Sequence, residues 1–283
     1  MKKILSIILI ISMVISFASC GKKSSENGFS NEITTKKETV KITIPEGYTL
    51  VRISWLLRDK GLCTSEEFIE KAQTFNEWLD LTKYPFLNGI YENENLCFKL
   101  EGYLFPLTYE IPKDATVEQI IETFLRGTSQ KFSPQLLEKV ESTGYSLHEI
   151  LTIASIIEKE AALNEQRPKI SSVIHNRINA NMKIECDPTV AYCEKVIKPI
   201  YPEKFDEFAE LYSAYKKVGL IAGPICNPSI ESIEAAISPA DTPYFYFVVG
   251  TVPPYEDYYS KTFEEHTKFW RENKDRLTGK TAE

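Results

Sequence analysis

The sequence predicts an α+β protein with few strands and many helices. Residues 40–44, VKITI, and residues 244–249, YFYFVV, are rich in β-branched and aromatic residues and predict two strands far apart in the chain. Between them, apolar residues recur mostly at helical spacing, and several of these stretches begin with a capping signal. We therefore expect a small α/β module followed by a mostly helical domain with a short β-sheet.

The first 38 residues predict export and tethering. A basic start and a short apolar run over residues 4–15 indicate a secretory signal peptide over residues 1–19. The run is shorter than the ~20 residues that a membrane-spanning helix needs. Phe17-Ala18-Ser19-Cys20 resembles a bacterial lipoprotein processing site, so we expect a lipid on Cys20, with an uncleaved anchor as the alternative. Residues 20–38 are polar and predict a flexible tether on the extracytoplasmic face of the cell membrane.

Residues 39–95 predict the small α/β module. Thr64 and Glu67 have the spacing of a capping box and start its second helix. A less regular stretch over residues 82–100 connects it to a second domain over residues 96–283. The expected elements of the module are a strand over residues 40–44, a turn at residues 45–47, and helices over residues 50–60 and 64–73.

The second domain predicts a series of helices with recognisable start signals. Ser146 and Glu149 form a capping box. Asn227 and Pro228 are good N-cap and first-turn residues. The expected helices cover residues 117–127, 147–163, 167–180, a short segment from Asp187, residues 229–237, and a final segment from Thr262, with the aromatic strand over residues 244–249 before the last of them.

The helix over residues 147–163 carries two candidate catalytic carboxyl groups. At about 100° per residue, Glu158 and Glu160 fall on opposite margins of a broad apolar arc. Burial of either side chain would raise its pKa and keep it protonated at neutral pH, as a general acid requires. The helix geometry does not choose between them, and ordinary boundary carboxylates paired with Lys159 or Arg167 would show the same pattern.

Charge and cysteine content exclude some classes of function. A formal net charge of −7 disfavours a nucleic-acid partner, which usually requires a basic face. After Cys20 the chain has an odd number of cysteines, so at least one thiol is unpaired, and their spacing matches no compact zinc pattern. We predict no metal and no cofactor, and we expect small buried side chains at Cys63, Cys97, Cys186, Cys193 and Cys226.

Seven segments in order carry a resemblance to a known family. They span most of residues 40–270 and read IPEG, LEGYLFP, ASIIEKEA, VIHNRIN, CDPTV, GPICNP, and YFYFVV ahead of TFEEH. Together they resemble the YceG-like family of endolytic murein transglycosylases. The resemblance implies a LysM-like module over residues 39–95 and a catalytic domain over residues 96–283. This domain would cut peptidoglycan glycan strands between MurNAc and GlcNAc and leave 1,6-anhydroMurNAc ends.

The resemblance also implies roles for single residues. Glu158, the first glutamate of EKE, matches the family's catalytic acid. Sugar-binding or orienting roles are expected for Glu101, Asp187, Thr189, Glu160 and Tyr215. Two of these have structural alternatives, because Glu101 would also suit the capping of a loop, and Asp-Pro-Thr is an ordinary helix start.

Two segments depart from the family pattern, and they keep other functions open. Ser213-Ala214-Tyr215 replaces an Asn-Thr-Tyr segment, and Asp257 stands where a histidine is usual. The main alternative is a catalytically silent, glycan-binding lipoprotein that scaffolds cell-wall synthesis, and a third class is the solute-binding lipoprotein of a transporter. Peptidoglycan synthases are expected partners only through the family resemblance.

Overall fold

The computed structural model describes residues 38–250, 253 and 255–278. The predicted signal peptide, Cys20 and nearly all of the predicted tether lie outside these residues. The described residues belong to one compact unit, Lys37–Glu283. Within the described part of the chain, no helix is both long and apolar enough to cross a membrane.

The architecture is α+β, as predicted: mostly helical with two small antiparallel sheets. In chain order the elements are β1 Thr39–Thr43, α1 Leu50–Asp59, α2 Ser65–Gln73, α3 Phe75–Trp78, β2 Thr108–Pro112, α4 Val117–Lys131, α5 Pro134–Ser142, α6 Leu147–Glu160, α7 Arg167–Asn179, α8 Asp187–Tyr192, a π-helical turn Cys193–Ile197, α9 Lys198–Ile200, α10 Phe205–Tyr212, α11 Ile230–Ile237, β3 Tyr246–Val249, β4 Asp257–Ser260 and α12 Phe263–Thr278.

Each sheet has two strands. β1 pairs with β2, so that Ile42 lies opposite Tyr109. This sheet joins residues on both sides of the predicted boundary at residues 95 and 96, and the division into a LysM-like module and a catalytic domain stays a prediction. β3 pairs with β4, with Val248 opposite Tyr258.

Helix α6 lies in the core and is packed between α7 and α11. Its start is the predicted capping box, because Ser146 Oγ accepts a hydrogen bond from the Glu149 amide at 3.2 Å and the Glu149 carboxylate accepts one from the Ser146 amide at 2.8 Å. Every residue from Ile150 to Ile157 is buried. The apolar helix therefore runs through the core and delivers its last turn to the protein surface.

The start of α11 differs from the prediction. Ser229, not Asn227, is the N-cap residue, and its hydroxyl accepts a hydrogen bond from the Ser232 amide at 3.2 Å. The Asn227 side chain is fully buried, accepts a hydrogen bond from the Leu104 amide at 2.8 Å and donates one to the Tyr48 carbonyl at 2.9 Å. Asn227 thus joins three distant segments instead of capping its own helix.

Sequence patterns missed several elements and misjudged a few ends. β2, α5, α10 and β4 were not expected, α4 continues to Lys131, and the aromatic strand begins at Tyr246. The five cysteines after Cys20 are free thiols, and four of them are buried, as expected of small apolar side chains.

Candidate active site

Two adjoining cavities lie beside the last turn of α6. The first cavity has a volume of about 800 Å³ and the second cavity about 610 Å³. Both are lined by Lys159, Glu160 and Asp187. The end of α6 and the start of α8 therefore meet in the middle of a continuous cleft.

The first cavity has aromatic walls. Strand β3 contributes Tyr246 and Phe247, and α12 contributes further rings on one face at helical spacing. The Arg177 guanidinium also lines this cavity and is paired with Glu185 at 3.0 Å. The rings from α12 are those of Phe263, His266 and Trp270.

The second cavity lies between α1 and α8. Helix α1 contributes Arg52 and Trp55, and α8 contributes Ala191 and Tyr192. Trp55 is 43% exposed although it is a large apolar residue. A flat ring exposed in a cleft is suited to stacking on the apolar face of a sugar.

The Glu160 carboxyl group lies where the two cavities meet. The side chain is half-buried, and burial raises the pKa of this carboxyl to about 7. The nearby negative charge of Asp187 raises it further, whereas a hydrogen bond from the Cys186 thiol opposes the rise. A large fraction of Glu160 is therefore protonated at neutral pH and faces the cleft.

The Glu158 carboxylate has polar surroundings. Its Oε2 accepts hydrogen bonds from the Ser229 amide at 3.1 Å, the Ser229 hydroxyl at 2.5 Å and the Ser232 hydroxyl at 2.7 Å. The Arg167 guanidinium lies 3.6 Å away. These donors come from the start of α11 and from α7. Glu158 lines neither cavity, and its role as the general acid stays a prediction.

Asp187 and Tyr215 both belong to the cleft. The Tyr215 hydroxyl donates a hydrogen bond to Asp187 Oδ1 at 2.6 Å, and Tyr215 is 43% exposed. Both line the first cavity, and Asp187 also lines the second. A sugar hydroxyl in the cleft has a carboxylate and a phenol within the same wall to bind.

Glu101 is buried away from the cleft and is only 1% exposed. Its carboxyl oxygens accept hydrogen bonds from the Leu50 amide at 2.9 and 3.1 Å, the Tyr192 hydroxyl at 3.0 Å and the Asn227 amide group at 3.3 Å. Burial raises the pKa of Glu101 to about 8, and the hydrogen bonds from Leu50 and Tyr192 limit the rise. Glu101 therefore binds the start of α1 and lines neither cavity, and its expected contact with a sugar stays a prediction.

Thr189 is also structural. It is fully buried, its hydroxyl donates to the Cys186 carbonyl at 2.7 Å, and it accepts a hydrogen bond from the Ala214 amide at 3.0 Å. Its hydroxyl therefore ties the start of α8 to the loop that carries Tyr215, and its expected role in binding or orienting a sugar stays a prediction. Within the described residues, no group of three or more His, Cys, Asp or Glu side chains could hold a metal ion.

Comparison with known proteins shows the family of this chain. A sequence profile described as the YceG-like family matches residues 20–272. The chain belongs to the YceG-like family. It is 34% identical over 232 residues to an endolytic murein transglycosylase of Bacillus subtilis strain 168, covering 80% of this chain and 63% of the relative. A protein of the same name from Streptococcus pneumoniae serotype 2 strain D39 is 33% identical over 241 residues, covering 80% of this chain and 43% of the relative.

A solved structure supports the same family fold. The 2.6 Å crystal structure of a YceG-like protein from Listeria monocytogenes superposes with a TM-score of 0.72 at 34% identity, covering 81% of this chain and 75% of that one. The matched part of the chain thus spans less than two thirds of the length of each named transglycosylase.

In this YceG-like protein, the cleft unites Glu160, Asp187 and Tyr215 and leaves out Glu101, Thr189 and Glu158. Sequence reasoning missed the cleft residues on α1 and α12. One signal for α12 was available, since Phe263, His266 and Trp270 share a helix face that is otherwise polar. For Trp55 there was no such signal, because its exposure depends on where the buried Glu101 holds the start of α1.

Proposed function

We propose that this protein is a membrane-tethered lytic transglycosylase that cuts peptidoglycan glycan strands between MurNAc and GlcNAc. One observation carries the proposal: the Glu160 carboxyl, with its pKa raised to about 7, lies at the junction of two cavities in a YceG-like fold. The names of the relatives from Bacillus subtilis and Streptococcus pneumoniae support the choice of reaction.

The proposed reaction uses one carboxyl group in two steps. Glu160 donates its proton to the glycosidic oxygen as the bond from that oxygen to C1 of MurNAc breaks. The resulting carboxylate then accepts a proton from the MurNAc 6-hydroxyl while that oxygen forms a bond to C1. The products are a GlcNAc with a free 4-hydroxyl and a 1,6-anhydroMurNAc end, and Glu160 is protonated again. No water enters the products, and the intramolecular nucleophile makes the second carboxylate of ordinary glycosidases unnecessary.

The remaining cleft residues have supporting roles in this proposal. Asp187, held by the Tyr215 hydroxyl at 2.6 Å, binds a sugar hydroxyl and raises the pKa of Glu160 through its charge. The aromatic walls of the first cavity and Trp55 in the second stack on sugars on either side of the cut. Space on both sides of Glu160 suits cutting within a strand rather than at its end.

Glu158 acts on the reaction indirectly in this proposal. Its carboxylate joins the end of α6 to Ser229 and Ser232 of the α11 start and to Arg167 of α7. These contacts fix the turn that carries Glu160, two residues further on. Glu158 as the acid, which the family resemblance implies, is the competing assignment.

The tether is a further part of the proposal. A lipid on Cys20 and the polar segment after it would hold the enzyme at the extracytoplasmic face of the cell membrane, where new glycan is made. Partnership with peptidoglycan synthases would follow from that location. Mass spectrometry of the membrane-extracted protein, compared with a Cys20→Ala variant, measures whether residue 20 carries a diacylglyceryl group.

Product analysis tests the reaction. Glycan strands are incubated with the wild-type protein in water enriched in ¹⁸O, and the new ends are measured by mass spectrometry. Anhydro ends without ¹⁸O are expected, and Glu160→Gln protein purified in the same way should give none. A gain of new reducing ends in place of anhydro ends would mean hydrolysis and would overturn the proposed reaction.

The departures at Ser213, Ala214 and Asp257 favour a second candidate function, a silent glycan-binding lipoprotein that scaffolds cell-wall synthesis. In that case the wild-type protein and the Glu160→Gln variant would bind strands with equal Kd, and neither would release new ends.

A further inference from the structure

The second cavity differs from the first in its charge. Arg52 and Lys195 both line it, and neither forms an ion pair with a carboxylate among the described residues. The Arg52 guanidinium lies over the Tyr48 ring, 5.2 Å from its centroid. In the first cavity, by contrast, Arg177 is neutralised by Glu185 at 3.0 Å.

Arg52 and Lys195 give the second cavity an excess of cations. Together with Lys159 they face the carboxyl groups of Glu160 and Asp187, whereas the first cavity has two cations and three carboxyl groups. Arg58 and Lys198 lie outside both cavities and are ion-paired, with Asp59 at 2.9 Å and with Glu194 at 2.7 Å. An excess of cations over carboxyl groups in one concave surface creates a local positive potential, because the low-dielectric walls concentrate the field. Such a surface attracts a ligand group with a negative charge.

The glycan carries negative charge in one place only. The sugar rings and their N-acetyl groups are neutral, and the lactyl substituent of MurNAc ends either in its own carboxylate or in a stem peptide that itself has carboxylates. Arginine and lysine both bind carboxylates, and arginine does so with two parallel hydrogen bonds. Trp55, 43% exposed in the same cavity, offers a stacking surface for the sugar that carries the substituent.

Resting on the proposed function, we propose that the second cavity is a subsite for a carboxylate carried on the lactyl substituent of MurNAc, with Arg52 and Lys195 as its cationic ligands. The subsite selects strands by their charge and leaves the bond-breaking step to Glu160. Two sources supply the same chemistry: the lactyl carboxylate of a bare strand and the carboxylates of a stem peptide.

Three substrates separate these sources. They are peptide-bearing strands, bare strands with free lactyl carboxylates, and bare strands whose lactyl carboxylates have been converted to methylamides. We expect the wild-type KM to be about fivefold higher on the amidated strand than on the strand whose carboxylate occupies the subsite. This is the factor that corresponds to about 1 kcal/mol, the contribution of a solvent-exposed ion pair. The difference should shrink in 1 M salt, where the screening length is about 3 Å.

Variants test the two cations. Arg52→Gln and Lys195→Gln should each raise KM relative to the wild type. This increase should be at least about threefold larger on a carboxylate-bearing strand than on the amidated strand. Arg58→Gln and Lys198→Gln remove a positive charge from paired positions outside the cavity and serve as controls. An effect on bare strands assigns the lactyl carboxylate, and an effect confined to peptide-bearing strands assigns the stem peptide.

Equal wild-type KM on all three substrates would overturn the subsite, and so would a variant effect of equal size on the amidated strand. The proposed function is tested separately, because turnover of the amidated strand that depends on Glu160 supports it whatever the subsite does. If no strand is cleaved, the Kd of each strand for the Glu160→Gln protein decides the subsite alone, by the same ratios.

Discussion

Replacing Glu160 with glutamine should make the protein more stable at high pH. Burial raises the pKa of this carboxyl from its ordinary 4.5 to about 7 in the folded protein. The folded state therefore holds the proton more tightly than the unfolded state does. Stability that is fully present below pH 4.5 is lost as the pH rises towards 7, because the unfolded carboxyl ionises first. Glutamine cannot ionise and does not suffer this loss.

The size of the effect follows from the two pKa values. They differ by about 2.5 pH units, and one unit corresponds to about 1.36 kcal/mol, so the loss is about 3 kcal/mol at most. Because Glu160 is half-buried, solvent reduces the measured value below this limit. We expect the free energy of unfolding of Glu160→Gln, relative to wild type, to increase by about 1–3 kcal/mol between pH 4.5 and pH 8.

Urea denaturation at pH 4.5, 6 and 8 measures this difference, and other titrating groups cancel because both proteins contain them. Glu165→Gln, at an exposed position shortly after α6, controls for the removal of one negative charge. The raised pKa would be refuted if the free energy of unfolding changed equally from pH 4.5 to pH 8 in the wild-type protein and in Glu160→Gln. A variant that becomes less stable at pH 8 would refute it as well.

Three further changes have defined outcomes. Glu101→Ala should reduce the free energy of unfolding by about 3 kcal/mol in urea denaturation, because it leaves three buried donors unpaired, and Glu101→Gln should cost less. Gly102→Ala should lower Tm by several degrees, since Gly102 has φ +86° and a Cβ there would lie 2.7 Å from Pro224. Tyr215→Phe should lower kcat/KM about fivefold with little change in Tm, because it removes one exposed hydrogen bond to Asp187, worth about 1 kcal/mol.

Local signals were sufficient for the elements that start with a clear cap. The capping boxes at Thr64, Thr116 and Ser146 are all present in the structure. Helix α5 has an equally good signal, since Ser133 caps it and Pro134 is its first residue, although no helix is predicted there. Strand β2 has a weaker signal. It is only five residues long, it pairs with β1 alone, and only Tyr109 and Ile111 are buried.

The site could be predicted only as far as the helix that carries it. Glu158 and Glu160 are equivalent on the margins of α6, and their environments come from residues far away in sequence. Ser229 and Ser232, more than 70 residues later, turn the surroundings of Glu158 polar. Glu160 faces a cleft that needs α1, α8, β3 and α12 together. Such contacts carry no local signature, which is why periodicity alone could not choose between the two carboxyl groups.

The opposite environments of these two carboxyl groups lead to the most direct test, which is the rate of anhydro-end formation by Glu160→Gln and Glu158→Gln on the same strands. General-acid catalysis contributes about 10²–10⁴-fold, so Glu160→Gln should lose at least that factor while its circular dichroism stays that of the wild type. Glu158→Gln should keep measurable turnover, with a lower Tm from the weakened contacts to Ser229, Ser232 and Arg167. Full activity of Glu160→Gln beside an inactive, folded Glu158→Gln would contradict the account and make Glu158 the acid.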